Sequence, residues 1–136
     1  MDRTAFLVSS MAVIVAGAPA RASAVTLEAR LTVRTVGSDL EFTVTVRNHG
    51  ELDVPLHFTS AARVALVVRD GAGTMAWNSL TGRMFASVLA TVRVPACGFV
   101  TFAETWSHVP TSTAMTVGGT VRSIPPLPIA ERHFTH

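Results

Sequence analysis

The stretch Arg63-Val-Ala-Leu-Val-Val-Arg-Asp-Gly-Ala-Gly-Thr-Met-Ala-Trp-Asn-Ser-Leu-Thr-Gly-Arg-Met-Phe85 decides how this chain is read. Its first part, Arg63 to Arg69, is a short run rich in β-branched residues, the kind that fills the middle of a sheet. Asp70-Gly71 breaks the run and Gly73 completes a tight turn. Asp-Gly between apolar runs is a strong hairpin signal, because such turns need residues that tolerate positive φ. The return strand, Thr74 to Asn78, carries Trp77, and Met84-Phe85 follows on a short connection behind Gly82. This spacing predicts that Trp77 and Phe85 pack into one core, one from the hairpin and the other from the connection after it.

Strand patterning continues on both sides. Val25, Leu27, Ala29, Leu31 and Val33 alternate with Thr26, Glu28, Arg30, Thr32 and Arg34, the period of a strand with one face on a core and the other in water. Gly37-Ser-Asp39 turns the chain. Leu40, Phe42, Val44 and Val46 then repeat the pattern before Asn48-His-Gly50 turns it again. Val54, Leu56 and Phe58 make a third strand, whose Pro55 places its N-terminal end at an edge or a bulge. Beyond the hairpin, strands are expected over residues 89–94, 99–106 and 113–123. Pro125-Pro-Leu-Pro128 is expected to end regular structure as an extended crossover, ahead of a last strand near residues 132–135. Only residues 80–88 leave room for a helical turn or two. Short strands at this spacing predict an all-β fold, an immunoglobulin-like antiparallel β-sandwich of about seven to nine strands. Cys97 is the single cysteine and there is no tyrosine, so neither an internal disulfide nor a tyrosine corner is available. Apolar packing must hold the core, with Phe42, Phe58, Trp77, Phe85 and Trp106 as its large members.

With 136 residues, 49% hydrophobic and 15% charged, the chain is large enough for one domain with a proper core. Its apolar residues concentrate near the start. Ala5 to Ala16 is an apolar run too short to cross a bilayer. It follows Arg3 and precedes Ala18-Pro-Ala20, Ala20-Arg-Ala22 and Ala22-Ser-Ala24, small-x-small spacings that suit a signal peptidase. Residues 1–24 are therefore read as a secretory signal, cleaved after Ala24 or alternatively after Ala20 or Ala22. Residues 25–136 are then one exported β-domain (periplasmic, envelope or extracellular) without a membrane span. The net charge is +2, and the arginines are spread one or two per strand. Nucleic-acid binding or polybasic membrane attachment needs a concentrated patch, and none is present.

No constellation for catalysis stands out. As a nucleophile Cys97 would need a nearby base to lower its pKa, and Pro95-Ala-Cys-Gly98 reads as a turn. Of the five histidines only His133 and His136 are closely spaced, without the third ligand and supporting shell a metal site needs. No Gly-x-Ser-x-Gly elbow occurs. Glu104 is the only carboxylate of its strand and reads as solvated. Neither an enzyme nor a cofactor is expected.

The order Leu56-x-Phe58-Thr-Ser60, Val64-x-Leu-Val-Val68-x-Asp70-Gly71, Trp77-x-Ser79, Met84-Phe85, Val94-Pro-Ala, Phe102 and Glu104-Thr-Trp106 resembles the intracellular proteinase inhibitor domain of the BsuPI type. Thr45-Val46-Arg47-Asn48 matches the Thr-Val-x-Asn element of that family's N-terminal strand. The resemblance covers residues 40–106 and implies an immunoglobulin-like sandwich that inhibits a serine protease by protein–protein contact. The chain departs from the pattern at Val64-Ala65, where members carry an aromatic-acidic pair, and at Asn78-Ser79, where they often carry a second Trp. Two functions follow. One is a contact inhibitor of a subtilisin-type serine protease; the other is a non-enzymatic binding or accessory module of the cell envelope. For the inhibitor, the connection over residues 78–86 is the candidate contact loop, with Leu80, Arg83 and Met84 as contact residues. The same connection also reads as a turn whose apolar residues cover the end of the sheet, since loops of this length commonly close a sandwich.

Overall fold

In the computed structural model, residues 26–110 and 114–136 are described. The expected signal over residues 1–24 lies outside them. Nine strands follow in chain order: β1 (Leu27–Val36), β2 (Asp39–Asn48), β3 (Val54–Phe58), β4 (Val64–Asp70), β5 (Met75–Asn78), β6 (Ala90–Val94), β7 (Phe99–Trp106), β8 (Met115–Val121) and β9 (Leu127–Phe134). The fold is all-β, and the one cysteine is free. Residues 80–89 are turns and irregular backbone, so the room left there for helix is not used.

The Asp70-Gly71 hairpin forms as its residues require. The Asp70 carboxylate Oδ1 accepts the backbone N–H groups of Ala72 and Thr74 at 2.9 and 3.0 Å, an Asx-type closure. Val68 then lies opposite Trp77, and a bulge between Val68 and Arg69 absorbs the turn. Alternation decides which face is buried. Leu40, Phe42, Val44 and Val46 of β2, and Val64, Leu66 and Val68 of β4, all point into the core.

Seven strands form one sheet in the order β5-β4-β8-β9-β1-β2-β7, and β3 with β6 form a second. The large sheet curls until its ends face each other. Trp77, on end strand β5, stacks on Phe42 of β2 with ring centroids 5.4 Å apart and on Trp106 of the opposite end strand β7 at 5.7 Å. Phe134 of β9 meets Phe42 edge-on at 6.0 Å. The two-stranded sheet adds Leu56, Phe58 and Val94 to the same core, and Phe58 contacts Phe102 of β7 edge-on. The division into seven and two strands is compatible with a sandwich-like core.

Two details differ from the sequence reading. First, β9 begins at Leu127, well before residue 132, and inserts between β8 and β1. Its pairing with β1 is parallel, with Ala29 opposite Ile129, whereas every other pair is antiparallel. Pro128 is tolerated within the strand because its ladder to β1 is short, so one missing N–H forfeits little. Second, Phe85 is half-buried and lies outside the core cluster, with the Arg83 guanidinium 4.7 Å above its ring. Phe42, Phe58 and Trp106 are buried, and Trp77 is half-buried against them.

Two polar devices lock the strands. Asn48 is buried, yet its amide is satisfied: Nδ2 donates to the Leu52 and Val94 carbonyls at 2.8 and 3.2 Å, and Oδ1 accepts from Gly50 N–H at 2.9 Å. This explains an asparagine at the end of Thr45-Val46-Arg47-Asn48, since a buried amide is stable only when so paired. Gly119 is the second. A Cβ there would come 1.8 Å from the Ala65 carbonyl oxygen of β4, so only glycine lets β8 approach.

Truncation should separate the true core from its border. Phe42→Ala is expected to cost about 3–5 kcal/mol in urea denaturation. Phe85→Ala should cost only about 1 kcal/mol, the scale of a partly exposed ring with a cation above it. Acid should act through Glu28. A hydrogen bond with His49, whose Nε2 lies 3.0 Å away, and secondarily the neighbouring Arg30 hold this carboxyl below its ordinary value of 4.5. Because the folded value is depressed, its stabilisation is present above that ordinary value and is lost as pH falls through the folded one. In Glu28→Gln the acid limb of a stability-against-pH curve should be measurably shallower.

Candidate functional site

The connection from β5 to β6 is the most strongly prepared surface feature. It starts from a fixed base. Ser79 is buried and extends the β4 ladder twice: its N–H donates to the Leu66 carbonyl, and its Oγ accepts the Leu66 N–H, both at 2.9 Å. Asn78 Oδ1 accepts the Leu80 N–H at 2.9 Å. Arg83 N–H then donates to the Leu80 carbonyl, closing a four-residue turn with Gly82 in third place at φ 74°. A type II turn needs positive φ at that position, hence glycine.

The far end is equally fixed. Val88 N–H donates to the Thr59 carbonyl and Ala61 N–H to the Ala86 carbonyl at 3.2 and 2.9 Å, so the returning chain hangs on the segment after β3. Between the two ends, Arg83 turns inward. One of its nitrogens, Nη1, donates to the Ser79 carbonyl at 3.1 Å and pairs with Glu104 Oε1 at 2.6 Å. The Glu104 side chain is only 14% exposed whereas that of Arg83 is 47% exposed, so the carboxylate is sheltered while water still screens the pair from the arginine side.

These contacts redistribute the roles expected of the loop. Arg83 is an anchor, held by Glu104 and stacked over Phe85. Leu80 is half-buried. Met84 is 100% exposed, and Val88 and Leu89 nearby are also exposed. Glu104 had read as a solvated carboxylate; it is the partner that fixes the loop. Its spacing carried part of this, because period two puts Glu104 between Phe102 and Trp106 on the inward face of β7; its partner Arg83 lies on a different element and reaches it only through the fold. The Asn78 cap was more accessible to reasoning, since Asn two residues before a turn commonly bonds its own backbone.

Elsewhere, an apolar groove of about 900 Å³ lies between the start of β1, β3 and the proline segment, lined by residues such as Leu27, Leu56, Ile124 and Leu127. It is concave, the opposite shape from a segment that enters a protease cleft. Cys97 is exposed at a positive φ in its turn, with Sγ 3.5 Å from the Gly50 carbonyl. His133 Nδ1 lies 3.0 Å from Thr116 Oγ1. Among the described residues no group of three His, Cys, Asp or Glu side chains is placed to hold a metal ion. Among the same residues no helix is long and apolar enough to cross a membrane.

The family described as BsuPI, intracellular proteinase inhibitor, matches residues 27–124, and the chain belongs to it. Membership implies proteinase inhibition, a non-enzymatic role and a protease as the protein partner. A comparison with curated proteins finds no match. Among solved structures the chain is similar to Northeast Structural Genomics Consortium target SoR45, at 13% identity and a TM-score of 0.48 over 81% of this chain and 86% of that one. It is also similar to a penta-heme cytochrome c552 from Thermochromatium tepidum, at 9% identity and a TM-score of 0.49, over 84% of this chain and 40% of that one.

The family description also overturns one expectation. It names an intracellular inhibitor, which points to the cytoplasm and away from export. A brief apolar run flanked by small residues is a compositional pattern, and with Asp2 offsetting Arg3 it lacks the clear positive start of an export signal. The envelope-module alternative loses its location with it.

Removing the anchor should loosen the loop before it harms the core. Arg83→Ala leaves Glu104 largely enclosed without its cation, an expected cost of about 1–2 kcal/mol. Amide hydrogen exchange over residues 80–86 is expected to speed up much more than exchange in β2 or β4. Uniform acceleration across all three would mean that Arg83 supports the whole fold and not the loop.

Proposed function

We propose that the chain inhibits a serine protease of the subtilisin type by presenting residues 79–89 to the enzyme's cleft, with Met84 in the specificity pocket. One observation carries this: a fully exposed, unbranched apolar side chain sits on a loop fixed at both ends and in the middle. A tight inhibitor buries about 800 Å² on each side, and its affinity depends on how little must be ordered on binding. Asn78, Ser79, Gly82 and the Arg83–Glu104 pair hold the backbone ahead of that event. The same rigidity slows cleavage, because a bond held in one conformation cannot follow the distortion that hydrolysis requires.

Met84 suits a wide apolar pocket. It is long and unbranched, and it gives up its exposed surface on entry. Leu89 and Val88 lie on the same connection and add apolar surface beside it. Arg83 contributes from behind, as the strut that aims Met84 outward.

The test is titration against subtilisin. Met84→Asp is expected to weaken inhibition about 100-fold or more, equivalent to about 2.7 kcal/mol, with an unchanged melting temperature. Met84→Leu should inhibit within a few-fold of the parent. If Met84→Asp folds and inhibits like the parent, the loop is not the contact surface.

A further inference from the structure

Met84 stands apart from the other described methionines. It is 100% exposed, whereas Met75 on β5 is 52% exposed and Met115 on β8 is 3% exposed. None of the hydrogen bonds that hold the loop uses it: those belong to Asn78, Ser79, Leu80, Thr81, Arg83, Ala86 and Val88. A chemical change at its sulfur therefore alters the surface offered to a partner and leaves the supports untouched.

We propose that Met84 is a redox modification site, and that its oxidation by a hydroperoxide switches the inhibitor off. This rests on the contact role given to the loop above. In the step itself the thioether sulfur attacks the O–O bond of hydrogen peroxide. An S–O bond forms and the O–O bond breaks. One oxygen stays on sulfur as the sulfoxide and the other leaves as water with both hydrogens, so the sulfur is oxidised by two electrons and the peroxide is reduced by two. The product is polar and chiral where the thioether was apolar and flexible. Entering an apolar pocket would strip water from the sulfoxide oxygen without supplying a donor, which opposes binding. A thiol-dependent methionine sulfoxide reductase reverses the change, returning the oxygen to water at the expense of two thiol electrons.

Exposure sets the expected order of reaction: Met84 first, Met75 next and Met115 last. The free thiol of Cys97 is exposed as well and also reacts with peroxide, so the experiment must separate the two. The full chain and its Cys97→Ser variant, which removes the exposed thiol and leaves the loop untouched, are treated with hydrogen peroxide and quenched with catalase. Each is then read by peptide mass mapping, by melting temperature and by inhibition of subtilisin.

In the parent, inhibition is expected to weaken about tenfold or more in step with one added oxygen on the Met84 peptide, with no change in melting temperature. Methionine sulfoxide reductase should restore it. Cys97→Ser should inhibit like the parent before treatment and lose inhibition to the same extent after it, in step with the same oxygen on the Met84 peptide. Full conversion of Met84 with undiminished inhibition overturns the switch. So does inhibition retained by Cys97→Ser with its Met84 fully converted, which would assign the loss to the thiol, and so does a mass map in which Met84 oxidises no faster than Met115. A parent that fails to inhibit before any oxidation removes the contact role, and the switch falls with it; the mass map still decides separately whether Met84 is the site of modification.

Discussion

Trp77 holds the two ends of the large sheet together. Strands β5 and β7 are the outermost members of the seven-stranded order, yet the Trp77 indole stacks on Trp106 of β7 and on Phe42 beside it. Offset stacking of large rings adds about 0.5–1.5 kcal/mol per pair beyond the area buried, but its geometric effect is larger. It converts a long open sheet into a curled one with a single interior, which β3 and β6 then cover. The contact loop depends on it directly. Two residues after Trp77 the chain reaches Ser79, whose two hydrogen bonds with Leu66 set the loop's starting point. A flat sheet would leave that start at a swinging edge.

Local patterning was legible where one face of a strand meets the core and the other meets water. Residues 40–47 alternate cleanly, and Asp70-Gly71 announces its turn. Long-range pairing left no such trace. The parallel contact between Ala29 and Ile129 joins residues about a hundred positions apart, and Leu127-Pro-Ile is too short and too proline-rich to read as a strand. Phe85 was misread because size and hydrophobicity suggest burial, whereas its ring is half-covered by an arginine above it. Glu104 was misread for the complementary reason. A lone carboxylate looks solvated by its chemistry, yet its alternation with Phe102 and Trp106 turns it inward, where Arg83 meets it.

The contact loop therefore combines two kinds of information. Its turn residues, Asn78 and Gly82, are visible in the sequence because their chemistry is local. Its strut, Arg83 to Glu104, exists only in three dimensions. The division matters for function, since the turn residues give the loop its shape whereas the strut limits its freedom to move. An inhibitor needs both, and the Thr59 and Ala61 backbone bonds at the far end complete the restraint.

The position of β9 has a consequence for how the protein is made. This strand lies between β8 and β1. Before it emerges from the ribosome, the large sheet can exist only as two separate ladders, β5-β4-β8 and β1-β2-β7. Each has an unpaired edge on the side where β9 belongs, and such edges are templates for pairing between chains. Joining them waits for the last strand to be synthesised and demands a contact of very high sequence separation, the slow kind. Nascent chains are thus vulnerable to one another until β9 has been made, and this eight-residue strand is the clasp that withdraws both edges at once.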